Sequence, residues 1–85
     1  MKMNIDETIK NDVEDFVLAL KMRRLELGLS QKALGELVDV TQSNISEYEG
    51  GLTYPTLPTL FKVCLGLRVK VGLKYLAKPK PIKKV

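Results

Sequence analysis

Gln42, Ser43, Ser46 and Glu47 carry the side chains of this sequence best suited to reading another molecule by hydrogen bonding. On a helical wheel they share one arc of about 140° with Gly50, while Ile45, Tyr48 and Glu49 fall on the opposite arc. A helix with that pattern buries Ile45 and part of Tyr48 and presents a small polar face. Glutamine can bond adenine N6 and N7 together, serine can bond several base edges, and glutamate can accept from cytosine N4. Long lysines there would hold phosphate and read nothing. The face therefore suits a DNA major groove. An ordinary solvated helix face in a small bundle has the same polarity, so the wheel alone leaves both readings open.

Few other chemistries are available. The chain has 85 residues, enough for one small domain, with 45% apolar and 28% charged residues. It has no histidine and one cysteine, Cys64, which argues against most hydrolytic and metal chemistry and excludes an intrachain disulfide. No catalytic residue, metal or cofactor is expected. A net charge of +4 fits an anionic partner without proving one. The N-terminal stretch is acidic and lacks the continuous apolar run of a signal peptide. No stretch approaches the length of a membrane span. The expected compartment is the cytoplasm.

The polar face needs elements to position it. Residues 1–11 read as an N-terminal arm or a helix extension, with Ile5 and Ile9 four apart. Asp12 can cap a first helix whose apolar positions are Val13, Phe16, Val17, Leu20 and Leu27, and Gly28 can end it. Ser30 caps a second helix over 31–38, with apolar Ala33, Leu34, Leu37 and Val38. Asp39 and Val40 turn the chain, and Thr41 caps a third helix over 42–49 that stops at Gly50 and Gly51. Thr56 caps a fourth helix, with Pro58 tolerated in its first turn. Its stripe is Leu57, Leu60, Phe61, Cys64 and Leu65, which makes Cys64 a core thiol. Tyr54 reads as a half-buried packing residue.

After Gly66 the period changes to two. Val69, Val71, Leu73 and Tyr75 alternate with Arg68, Lys70, Gly72 and Lys74, so residues 68–76 read as a strand. One strand after four helices has no partner in its own chain. The same strand in a second copy is the expected partner, because an unpaired apolar edge invites aggregation. The tail, residues 77–85, carries Lys78, Lys80, Lys83 and Lys84 between prolines and reads as disordered.

Two short capped helices joined by a three- or four-residue turn make the helix-turn-helix plan. In "LKMRRLELGLSQKALGELVDVTQSNISEYEGG" followed by "PTLPTLFKVCLGL", the chain resembles the lambda repressor/Cro (Xre) family. The resemblance covers about residues 13–67. It implies an all-α, four- to five-helix DNA-binding domain over 12–67, with the C-terminal strand pairing across a dimer. By the same resemblance Gln42, Ser43, Ser46 and Glu47 occupy base-reading positions, and Gln31, Thr41 and Asn44 contact phosphate or cap a helix. Arg24 and Glu49 match a partly buried structural ion pair. Arg23 and Lys32 are phosphate candidates by charge alone, and solvated surface fits them equally. Three departures stand out. Gly35 replaces the usual alanine, Asp39 the usual glycine of the turn, and Glu47 sits where many members carry a cation. A carboxylate there either faces phosphate, lowering non-specific affinity and sharpening selectivity, or points away from the DNA.

The helical domain followed by "LGLRVKVGLKYL" also resembles HipB-type and other Xre-family antitoxins of toxin–antitoxin operons. That resemblance implies a dimeric repressor of a palindromic operator that autoregulates its operon and holds a toxin in check. A module that chiefly neutralises a toxin enzyme, and a prophage or restriction–modification regulator, share every feature named so far.

Overall fold

The computed structural model describes residues 4–73 and forms four helices in them: α1 (Ile5–Glu26), α2 (Gln31–Val38), α3 (Gln42–Glu49) and α4 (Leu57–Gly66). The first starts well before the Asp12 cap that the pattern suggests. Asn4 is the N-cap: its side chain accepts from the Glu7 N–H at 3.4 Å and donates to the Glu7 carboxylate at 3.1 Å. Asp6 and Glu7 put negative charge on the first turn, where the helix dipole favours it. Asp12 is an exposed residue inside the helix.

The three following helices open on the expected hydroxyl caps. Ser30 accepts from the Ala33 N–H at 2.9 Å, Thr41 from Asn44 at 3.1 Å and Thr56 from Thr59 at 3.4 Å. Each cap satisfies a backbone donor that the helix cannot satisfy itself. Helices α1, α3 and α4 close with paired backbone bonds around a left-handed residue. Gly28 (φ 70°) and Gly51 (φ 72°) supply that conformation freely, but Arg68 (φ 58°) supplies it after α4. The Arg68 N–H bonds the Leu65 carbonyl at 3.0 Å and the Val69 N–H bonds Cys64 at 2.8 Å. Arg68 therefore closes a helix and is not the first residue of a strand.

Among the described residues no strand forms. Val69 packs against the core, Val71 is half-buried and Leu73 is fully exposed. A lone segment has no ladder to join within one chain, as the alternating pattern already implied. Tyr75 and the tail expected to be disordered lie outside the described residues.

The core is small. Leu34, Ile45, Val63 and Leu67 are buried together, one or more from each of α2, α3 and α4, with Leu20, Leu27 and Tyr48 packed around them. Each such side chain contributes about 1.5–3 kcal/mol. Cys64 is buried, and burial pushes its thiol pKa up, as befits an inert core residue. Leu37, Leu57, Phe61 and Leu65, all assigned to apolar stripes by spacing, are exposed instead. Tyr54 is likewise exposed rather than half-buried. Helices of eight to ten residues wrapped round so few buried side chains hide only one side of each.

Two glycines let α2 approach its neighbours. A Cβ on Gly35 would collide with the Val40 carbonyl, and one on Gly66 would collide with Val38. The Val40 N–H in turn bonds the Gly35 carbonyl at 2.9 Å. Gly35 is thus part of the turn's geometry. Alanine, the usual residue of the resembling family, would not fit this backbone as it stands.

Candidate nucleic-acid interface

Helix α3 is presented by a turn of three residues, Asp39 to Thr41. Asp39 adopts the left-handed conformation (φ 59°, ψ 49°) that glycine usually takes, and aspartate tolerates it better than most residues. That bend lets Ile45 drop into the core at 2% exposure while α2 packs against both α3 and α4. With Ile45 fixed inward, helical geometry turns Gln42, Ser43 and Ser46 outward, and all three are exposed.

Gln42, Ser43, Ser46 and Glu47 do come together. With Gln31 from the start of α2 they line one open concavity of about 480 Å³. Glu47 is half-buried yet faces this concavity with the others. Asn44 and Lys32 are exposed. The Thr41 hydroxyl is occupied as the cap of α3. Arg23 does not stand free on the surface. Its Nε donates to the Leu67 carbonyl at 3.1 Å and its guanidinium pairs with Glu26 at 3.2 Å, so it ties α1 to the end of α4.

Behind this face lies the ion pair. Arg24 Nε donates to Glu49 Oε2 at 2.6 Å and Nη2 to Oε1 at 3.0 Å. The remaining terminal nitrogen donates to the Leu29 carbonyl at 2.6 Å. The two side chains are only 8% and 11% exposed. Burial by itself would push the Glu49 carboxyl up. The hydrogen bonds from Arg24 and Gln31, with the charges of Arg24 and Lys21, outweigh burial and hold it below the usual value. The Glu49 hydrogen bond, against an opposing effect of burial, raises Arg24 in turn. No buried side-chain polar atom among the described residues lacks a partner.

One connection leaves no mark in the sequence pattern. Gln31 Nε2 donates to Glu49 Oε1 at 3.0 Å. Gln31 therefore belongs both to the buried network and to the rim of the concavity. The amide nitrogen has two hydrogens, and Glu49 takes only one of them. The two residues are eighteen apart in the chain, a separation with no periodic signature. A second feature was half legible: an apolar groove of about 420 Å³ runs along α1 and reaches Tyr54, Pro55 and Leu60. Its signal is the helical spacing of Ile9, Val13, Phe16, Val17 and Leu20.

The comparison with protein families matches the helix-turn-helix model over residues 20–73, most of the chain, including the polar concavity of α3 and the ion pair behind it. The chain belongs to the lambda repressor-like (Xre) helix-turn-helix family. It is thus a DNA-binding domain of the kind that regulates transcription. No curated protein and no solved structure matches the chain. No helix among the described residues is long and apolar enough to cross a membrane.

Proposed function

We propose that this protein is a sequence-specific repressor that binds a palindromic operator as a dimer and acts in the cytoplasm. The observation that carries the reading is the concavity on the exposed side of α3. There Gln42, Ser43, Ser46 and Glu47, with Gln31, converge as uncharged or acidic hydrogen-bonding groups, while the Arg24–Glu49 pair and Ile45 hold the helix from behind. In this reading Gln42, Ser43 and Ser46 read bases, and Glu47 accepts from cytosine N4. Gln31 donates its second amide hydrogen to a phosphate, and Lys32 and Asn44 hold phosphates on either side. Arg23 is withdrawn from that role by its bond to Leu67.

One helix of eight residues reads few bases, so two copies supply the specificity, with half-sites about 34 Å apart. The segment from Val69 onward, with Val71, Leu73 and Tyr75 on one face, is the strand that joins them. Autoregulation and an antitoxin role in a toxin–antitoxin operon rest on the resemblance of this helical domain and strand to HipB-type antitoxins. Selection from a random-duplex pool at about 150 mM salt tests the DNA reading. A palindrome with half-site centres one helical turn apart is expected. Salt-sensitive retention without an enriched sequence would remove it.

A further inference from the structure

The groove along α1 is built for an occupant. Ile5, Phe16, Ile9, Leu20, Val13 and Val17 fall within about 120° of one another around the helix. Ile9 is 54% exposed, Phe16 45% and Tyr54, on the facing loop, 61%. The volume between them is about 420 Å³, with Asp12 on its rim. A stripe of this size left in water marks an interaction surface.

Charge and reach point to one segment. The first part of α1 carries Asp6, Glu7, Asp12, Glu14 and Asp15 against a single Lys10, whereas residues 74–85 carry five lysines and no acid. Four residues before the last one described, Val69 packs on the core cluster that includes Leu67, and Leu67 also lines the groove. Twelve residues follow Leu73. The nine that follow the proposed strand, 77–85, span up to about 30 Å when extended, while the groove from Leu20 to Ile9 runs about 17 Å along the helix. Pro79 and Pro81 disfavour helix and favour an extended segment. Aromatic-lined grooves take up such segments, and the rigid backbone lowers the entropy lost on docking.

We infer that the chain's own segment Lys78–Val85 docks in the α1 groove, with Ile82 and the two prolines against Phe16 and Tyr54 and its lysines toward Asp12 and Asp6. This surface lies apart from the DNA-reading face and does not depend on it.

Methyl NMR of the full chain and of a chain ending at Ala77, which keeps the proposed dimer strand, tests the docking. Loss of the segment is expected to shift the methyl signals of Val13, Val17 and Leu60 and to leave Leu37, on α2, in place. A peptide of residues 78–85 added to the shortened chain is expected to restore them. Asp12→Lys in the full chain is expected to produce the shifts of the shortened one. Superimposable groove signals with and without the segment would overturn the inference. So would shifts that disappear on dilution, which would put the segment in a second copy's groove. Tail signals that respond only when duplex DNA is added would overturn it as well and make the lysines phosphate contacts.

Discussion

Removing Glu49 from its partners is the sharpest test of the scaffold behind helix α3. In Glu49→Leu the Arg24 guanidinium keeps its bond to the Leu29 carbonyl but loses the acceptor of both Nε and Nη2. At 6% exposure Arg24 has little water to replace it. Breaking a buried pair on one side costs about 3–5 kcal/mol, because an uncompensated charge is left behind. An 85-residue chain has a total stability of about 4–13 kcal/mol at ~0.05–0.15 kcal/mol per residue. The single variant is therefore expected to lose a large fraction of its folded stability. Arg24→Met/Glu49→Leu removes both charges at similar volume and is expected to recover most of the loss. Urea unfolding followed by circular dichroism measures all four members of the cycle. A cost below about 1 kcal/mol for Glu49→Leu would refute the reasoning, since exposed pairs behave that way. A double variant as unstable as the sum of the singles would refute it too. The same pair sets a pH dependence. Glu49 is held below its ordinary value of 4.5, so its contribution is complete above that pH and is lost as the pH falls through the folded-state value. The double variant is expected to lack this acid-sensitive step.

Other substitutions probe the remaining parts. Gln42→Ala is expected to cost about 1–3 kcal/mol on the selected operator and to relax specificity at one base. An equal loss on random DNA in a binding titration would make Gln42 a backbone contact. Gly35→Ala gains about 1 kcal/mol of helix propensity but drives a Cβ into the Val40 carbonyl, so a net loss of about 1–3 kcal/mol is expected from overpacking. A raised melting temperature would show that the turn yields. Lys70→Pro is expected to weaken the dimer by blocking a strand hydrogen bond, and an unchanged sedimentation mass at micromolar concentration would refute strand pairing.

The divide between what could and could not be read from the residues follows the range of the interactions. Helices α2 and α3 begin and end where their caps and period place them, because Ser30, Thr41 and the left-handed Asp39 act within four residues of the backbone they fix. The inward Ile45 and the outward Gln42, Ser43 and Ser46 follow from the same local geometry. The pattern leaves the start of α1 open between an arm and a helix extension because Asn4 and Asp12 are both competent caps, and only Asn4 meets a reciprocating glutamate three residues on. Leu37 and Leu65 belong to apolar stripes and are nonetheless exposed, because a stripe names the apolar residues of a helix without saying how wide its neighbours are. The Gln31–Glu49 bond joins residues eighteen apart, and it changes the meaning of both. An arginine pair that the family resemblance assigned only to structure also orients an amide on the proposed reading surface. The fold and the proposed recognition face are therefore held by one network, and a substitution in the core of that network is expected to register in DNA binding even when the domain stays folded.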